Sequence, residues 1–314
     1  MKRYKPTNDL LFKKSIGNAN HPEIPLGLIN DVLGIGATEA HIENPYDITV
    51  FRDAVAGNKL LTTEVDVRVR LQDGSQVLVE IQLPKQEYFF QRVLYYAASR
   101  YTADYGSEVS SRHIHGEKYG ILKPVHSINV LGYVQFPLDS RALRSYVLYD
   151  TQGQHPFGAD GSAKRSQGFF TISFLELAKR ADENSNIAHW IDYFSGSDLA
   201  PDAPDYIVAA CELSRAHAMS KEEIEMFDAI EYANENRACE LNYARREGRE
   251  EGLAEGREEG LTEGREEGLA EGQGLGAAQA QHEIARKALA AGLPIETIQQ
   301  ITGLERKAIE GLLD

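Results

Sequence analysis

Residues 62–83, TTEVDVRVRLQDGSQVLVEIQL, constrain the fold more than any other stretch of the chain. From Glu64 to Leu71 the side chains alternate strictly. Val65, Val67, Val69 and Leu71 lie on one face and Glu64, Asp66, Arg68 and Arg70 on the other, the period-2 pattern of a strand with one buried side. Val77, Val79 and Ile81 repeat it, and the two runs meet at Gln72-Asp73-Gly74, a three-residue hairpin loop with glycine in its left-handed last position. That loop sets Leu71 opposite Ser75, Asp66 opposite Glu80 and Glu64 opposite Gln82, the last two pairs on the polar face. A two-residue Asp-Gly turn would slip the register by one and bury Glu80 among valines, so the hydrophobic pattern selects the longer loop.

Directly opposite carboxylates repel: at about 5 Å and an effective dielectric of about 20, the cost is about 3 kcal/mol. Two compensations are open. A hard divalent cation can bridge Asp66 and Glu80, because Mg²⁺ takes carboxylate oxygens and keeps several waters. Alternatively Arg68, two residues along the same face, neutralises the pair as a surface cluster.

Asp66, followed across the hairpin by Glu80-Ile81-Gln82, resembles the D…(D/E)-x-K core of the PD-(D/E)XK nucleases, in the variant with glutamine last. Three further features narrow the resemblance: Asn8-Asp9-Leu10-Leu11-Phe12-Lys13-Lys14, then HPEIPLGLINDVLG, then Arg92-x-x-Tyr95-Tyr96. With them the chain resembles the recombination-promoting nucleases, also called PD-(D/E)XK family transposases, over about residues 6–135. The resemblance implies an α/β, restriction-endonuclease-like core with a mixed central sheet flanked by helices, followed by a helical C-terminal extension. It also implies a Mg²⁺- or Mn²⁺-dependent DNA endonuclease. Asp66 and Glu80 become metal ligands, with the Ile81 carbonyl as a third, and Asp66, Glu80 and Gln82 become the catalytic set. Gln82 orients water but brings no charge where the wider superfamily has lysine. Asp9, Glu64 and Arg92 are auxiliary candidates. For Asp9 the competing reading is a favourable charge near a helix N-terminus; for Glu64 it is a surface carboxylate, and for Arg92 surface packing rather than a phosphate contact.

Composition sets wider bounds. The chain has 314 residues, room for one sizeable core and an appendage or for two domains. Its net charge of −15 argues against bulk electrostatic capture of nucleic acid. That charge is unevenly spread, however: from Glu247 onward fifteen acidic and seven basic residues give −8, leaving −7 for the preceding 246 residues. Two cysteines, Cys211 and Cys239, without Cys-x-x-Cys spacing indicate neither a disulfide framework nor a zinc site. MKRYKPTNDLLFKK lacks an apolar leader core and no run approaches the length of a membrane span, so the expectation is a cytoplasmic protein with no membrane partner.

Along the chain, a short helix begins at Thr7 or Asn8, and Pro22 to Leu33 has helical apolar spacing ended by Gly34. EYFFQRVLYYAASRYTADYG predicts a long helix whose stripe of Phe90, Val93, Leu94, Ala97, Tyr101 and Tyr105 packs on the sheet, with Gln91, Arg92, Tyr95, Ser99 and Arg100 on another side. PVHSINVLGYVQFP reads as a central strand. His113-x-His115 has metal-grip spacing but no third partner, so a polar loop is the better reading. Residues 145–150 and 169–177 read as strands, and helices follow around Trp190, at PDAPDYIVAACELSRAHAM and at SKEEIEMFDAIEYANE, with Ser220 and Glu223 as a capping box.

From Glu247 an eight-residue unit repeats with glycine every fourth position. Each glycine costs a helix about 0.8–1.0 kcal/mol relative to alanine, and Glu/Arg pairs return only about 0.2–0.5 kcal/mol. A flexible, partly helical spacer and an oligomerising helix both fit. His282 to Leu313 then reads as three short helices punctuated by Pro and Gly. The expected organisation is a nuclease core over 1–140, a strand/helix extension over 141–246, a Gly-Glu repeat linker or stalk over 247–276, and a small three-helix module over 277–314. Homo-oligomerisation through the last two is an expected partnership beside DNA. The rival functions are a catalytically inactive DNA- or protein-binding relative and an oligomeric assembly protein.

Overall fold

The hairpin forms in the register that the alternation selects. In this computed structural model, which describes residues 4–49, 67–103, 105, 119, 122–153, 157, 168–181 and 185–312, strand β2 (Val67–Leu71) pairs antiparallel with β3 (Gln76–Gln82). If β1 is Ala40–Ile42, β4 Val125–Leu131, β5 Leu143–Val147 and β6 Phe170–Glu176, the sheet order is β1-β2-β3-β4-β6-β5. Val67 faces Val79 and Arg70 faces Gln76, while the Leu71 N–H donates to the Ser75 carbonyl at 2.9 Å. Gly74 takes φ +83°, the left-handed loop end that glycine enters without a Cβ clash.

The sheet is mixed: β3, β4 and β6 run parallel, and the outer pairings are antiparallel. Every residue of β4 is buried, His126, Ser127 and Asn129 included, as befits a central strand with parallel neighbours on both sides. One face carries Val67, Val69, Val77, Val79, Ile128 and Val130 against four helices. These are α1 (Asp9–Ile16), α2 (Glu23–Leu33), α4 (Asn186–Ser195) and α5 (Asp205–Leu213), with α3 (Phe89–Ala103) between them in sequence. Trp190 of α4 is fully buried, and its indole N–H donates to Asp31 of α2 at 2.8 Å. Among the described residues this is a restriction-endonuclease-like arrangement, a mixed sheet flanked by helices.

The polar face of the hairpin is not left to solvent, which corrects the expectation of one buried side. Helix α3 lies over it, and Phe89, Val93 and Ala97, spaced one turn apart, are its buried ridge. They pack on Leu78, Val125, Leu131 and Phe174. Phe90 and Leu94, expected within that ridge, are 45% and 55% exposed. Arginines on the neighbouring side of α3 account for the rotation. Arg100 pairs with Glu43, which also takes Arg70 of β2 at 2.7 Å, and Arg92 pairs with Glu80 of β3. The helix turns to satisfy the charges of the strands beneath it.

The chain divides into two compact units, up to Asn234 and from Glu235 onward. Helix α6 runs from Lys221 to Ala290 without a break. The glycine repeat is thus fully helical, and HEIARKALAAG belongs to the end of α6 rather than forming a separate helix. Once a capped end and a packed end supply nucleation, propagation through Glu, Arg, Leu and Ala carries the glycines along. In the second unit α6 ends against α7 (Ile295–Thr302) and α8 (Arg306–Glu310), with Ala285, Ile298 and Ile309 fully buried between them. Among the described residues no helix is long and apolar enough to cross a membrane, and both cysteines are free.

In the first unit the start of α6 is fixed by the expected capping box. The Glu223 N–H donates to Ser220 Oγ (3.1 Å), and the Ser220 N–H to Glu223 Oε2 (2.7 Å). Glu223 also accepts Lys14 Nζ from α1 (2.9 Å) and the Tyr46 hydroxyl (2.8 Å). Burial raises the Glu223 carboxyl, but the bonds from Ser220, Lys14 and Tyr46 outweigh it and hold the group below its ordinary 4.5. Its contribution is therefore complete above the unfolded-state value and fades as pH falls through the folded-state one. Lys14→Ala strands a buried carboxylate and should cost about 3–5 kcal/mol in urea denaturation at neutral pH. The deficit should shrink as the solution is acidified below the ordinary glutamate range.

A Cβ added at Gly256, Gly260 or Gly264 meets nothing within 4 Å. Alanine at all three should stabilise the helix by about 1 kcal/mol each, seen as a rise in the helical melting temperature by circular dichroism. A fall instead would mean that the glycine face seats a second helix in solution.

Candidate active site

Strand β3 ends in Glu80-Ile81-Gln82, and its parallel pairing with β4 sets Glu80 beside Asn129 and Gln82 beside Leu131. Even-numbered side chains of β3 face α3, so the alternation that buries Val79 and Ile81 on one side delivers Glu80 and Gln82 to the other. Glu80 is largely buried there, its side chain 13% exposed. Burial pushes its carboxyl above the ordinary range, and the Arg92 guanidinium opposes that shift.

Arg92 reaches down from the first turn of α3 and bonds Glu80 Oε1 through Nη2 at 2.5 Å. The same nitrogen donates to Gln82 Oε1, and Nη1 donates to Gln86 Oε1. Its charge also lies over the Phe89 ring, 5.5 Å from the centroid. The Gln82 amide nitrogen donates to the Pro84 carbonyl at 3.2 Å, so both ends of this side chain are engaged. Tyr88, immediately before α3, has φ +57°, a conformation that is costly for a residue with a Cβ.

Three residues at the end of the sheet, Gly132, Tyr133 and Glu176, have no strong sequence signal. Gly132 follows β4, and its N–H donates to the Gln82 carbonyl at 3.0 Å. A Cβ at this position would lie 3.0 Å from Leu83 Cδ2 and 3.3 Å from Leu83 Cα, so glycine is what lets the chain cross the end of β3. Tyr133 comes next and packs against the cluster of Phe89, Val93, Leu131 and Phe174. Glu176, the fully buried end of β6, accepts the backbone N–H groups of Gln135 (2.5 Å) and Phe136 (3.0 Å) and pairs with Lys179, which also donates to the Phe136 carbonyl (2.7 Å). A buried ion pair thereby holds the segment that carries Tyr133. The one hint of this in the sequence is a lone acid closing the apolar run FTISFLE.

The structure thus brings together Glu80, Gln82 and Arg92. Asp66, Glu64 and the His113/His115 pair lie outside the described residues. Arg68, the alternative counter-charge, keeps its backbone N–H on Asn44 Oδ1 (2.7 Å), and the cation at Glu80 is Arg92. Asp9 opens α1 with a carboxyl raised by burial, and among the described residues no hydrogen bond or ion pair joins it to Glu80, Gln82 or Arg92. Gln91 and Tyr95 are exposed on α3. Among the described residues no group of three metal-binding side chains comes together, and Glu80 is the carboxylate the site offers. Its hard oxygens are donors of the kind that suit a hard divalent cation.

The family model for PD-(D/E)XK nuclease family transposases matches residues 6–247. The chain belongs to that family. No curated protein and no solved structure matches it. The matched span takes in the whole described sheet, the end of β3 and α3. DNA is the substrate class that membership implies.

If Arg92 is the counter-charge that restrains Glu80, Arg92→Ala leaves burial unopposed. The Glu80 carboxyl should then titrate higher than in the wild type, read by NMR on protein labelled at the glutamate side-chain carbon. An unchanged or lower value contradicts that role.

Proposed function

We propose that the protein is a divalent-metal-dependent DNA endonuclease that hydrolyses phosphodiester bonds and promotes recombination in the cytoplasm. The observation that carries this reading is Glu80, a largely buried carboxylate at the end of β3 beside Gln82 and paired with Arg92. Asp66, which directly precedes Val67 in the chain, is the second ligand, and the Ile81 carbonyl the third. Mg²⁺ or Mn²⁺ bound there supplies Lewis-acid polarisation of the scissile phosphate and a bound water of lowered pKa.

The chain's own residues divide the remaining work. In the family resemblance the last motif position orients water or, as lysine, brings positive charge. Gln82 is neutral and its amide is engaged by Pro84 and Arg92. Arg92 supplies the charge instead, from α3 rather than from β3, and would be a phosphate ligand. Asp9 and Glu64 are auxiliary carboxylates in this scheme. Residues 1–140 carry the nuclease core, 141–246 complete the sheet and its helical cover, and 247–314 are the stalk and module through which copies of the chain associate.

Purified protein should nick supercoiled plasmid with Mg²⁺ or Mn²⁺ and not with a chelator present. Folded Asp66→Ala and Glu80→Ala variants should be silent, and Arg92→Lys, which keeps the charge but not the fork, should retain a reduced rate. Equal behaviour of wild type and both alanine variants with either metal would reject the reading in favour of an inactive, binding-only relative.

A further inference from the structure

Two buried donors at this site have no acceptor. The Tyr133 hydroxyl is sealed from solvent without a hydrogen-bond partner, and so is Nε of Arg92. The other nitrogens of Arg92 are bonded to Glu80, Gln82 and Gln86, so the orphaned N–H is not the mark of a free side chain. A buried donor left unsatisfied costs about 1–3 kcal/mol, and more when it belongs to a charged group. An unpaired Nε recurs at Arg68, Arg100 and Arg144, so the Tyr133 hydroxyl is the atom that most calls for an outside acceptor, with the Arg92 N–H beside it as a second donor.

The groups facing Tyr133 come from three elements: Glu80 on β3, Arg92 on α3 and Glu176 at the end of β6. Burial, joined by the Glu80 and Glu176 carboxylates and opposed by the Arg92 guanidinium, holds its phenol up at about 12, so it is protonated and a donor throughout the neutral range. It is neither a base nor a ready nucleophile there. Its position is rigid, because Gly132 is bonded to Gln82 and the following segment is tied to Glu176 and Lys179.

We propose that Tyr133 is a catalytic residue of the hydrolytic site, pairing with Arg92 to hold a non-bridging oxygen of the scissile phosphate. This rests on the nuclease reading and adds to it the donor that Gln82 cannot provide. A charged N–H and a neutral O–H converging on one oxygen form an oxyanion site, and a donor aimed at developing negative charge is worth most in the transition state.

The test is Tyr133→Phe, which removes one oxygen atom and leaves the ring packing intact. Cleavage of a short duplex with Mg²⁺ is followed for wild type, Tyr133→Phe and Glu80→Gln, on ordinary substrate and on each diastereomer of a phosphorothioate at the cut position. Tyr133→Phe should lower kcat about 100-fold with KM little changed. It should melt no lower than wild type, because the free protein loses no hydrogen bond. Sulfur at one non-bridging position should slow wild type, and that penalty should largely vanish in Tyr133→Phe.

Cleavage by Tyr133→Phe within twofold of wild type, with Glu80→Gln inert, overturns the role of Tyr133 alone. A slow Tyr133→Phe that keeps the full sulfur penalty on both diastereomers also overturns it, since the hydroxyl would then act without touching the phosphate. Folded wild type that cuts nothing overturns the nuclease reading and this proposal with it.

Discussion

The pairing of Glu80 with Arg92 is the interaction on which the arrangement of this protein turns. A carboxylate on the inner strand of a sheet must be covered for the fold to close and neutralised for the cover to be tolerable. Helix α3 does both at once. Phe89, Val93 and Ala97 supply its apolar ridge, and Arg92 brings the guanidinium to Glu80 from one residue short of that ridge. Arg100 repeats the device two turns later against Glu43 and, through it, Arg70. An apolar face on the same strands would have been easier to cover. The protein meets the cost of covering an acid with arginines drawn from the covering helix.

The same requirement explains how the end of the sheet is finished. The parallel strands β3, β4 and β6 deliver their C-terminal ends to one edge, where Glu80, Gln82, Tyr133 and Glu176 gather. Glu176 is more deeply buried than Glu80, yet it is satisfied twice by backbone amides and once by Lys179. One acid is held by several donors, while the other has Arg92 as its cationic partner and a carboxyl raised by burial. The difference between the two is the number of donors that each was given.

Much of this was legible in the sequence because period-2 alternation fixes both register and facing. The loop at Gln72-Asp73-Gly74, the positions of Glu80 and Gln82 on one face, the central place of Val125–Leu131 and the Ser220/Glu223 box all follow from local pattern. What the pattern could not give was whether the polar face is covered, since that depends on a helix far along the chain. The stripe on α3 was misjudged for the same reason: counting apolar residues favours Phe90 and Leu94, whereas the arginine pairs rotate the helix toward Phe89. Tyr133 and Glu176 were invisible because their roles arise from strands meeting in space. The glycine repeat left a partly helical spacer and a continuous helix both open, because its residue-by-residue helix cost does not count the nucleation that capped and packed ends supply.

The most direct measurement is Mn²⁺ binding to the full chain, followed by electron paramagnetic resonance and calorimetry, for wild type, Asp66→Asn and Glu80→Gln. The account predicts one Mn²⁺ site in the wild type that both substitutions weaken severely while the fold persists. Equal Mn²⁺ binding by all three proteins would contradict it, because the buried carboxylate at the end of β3 would then have Arg92 as its permanent partner and no metal to hold.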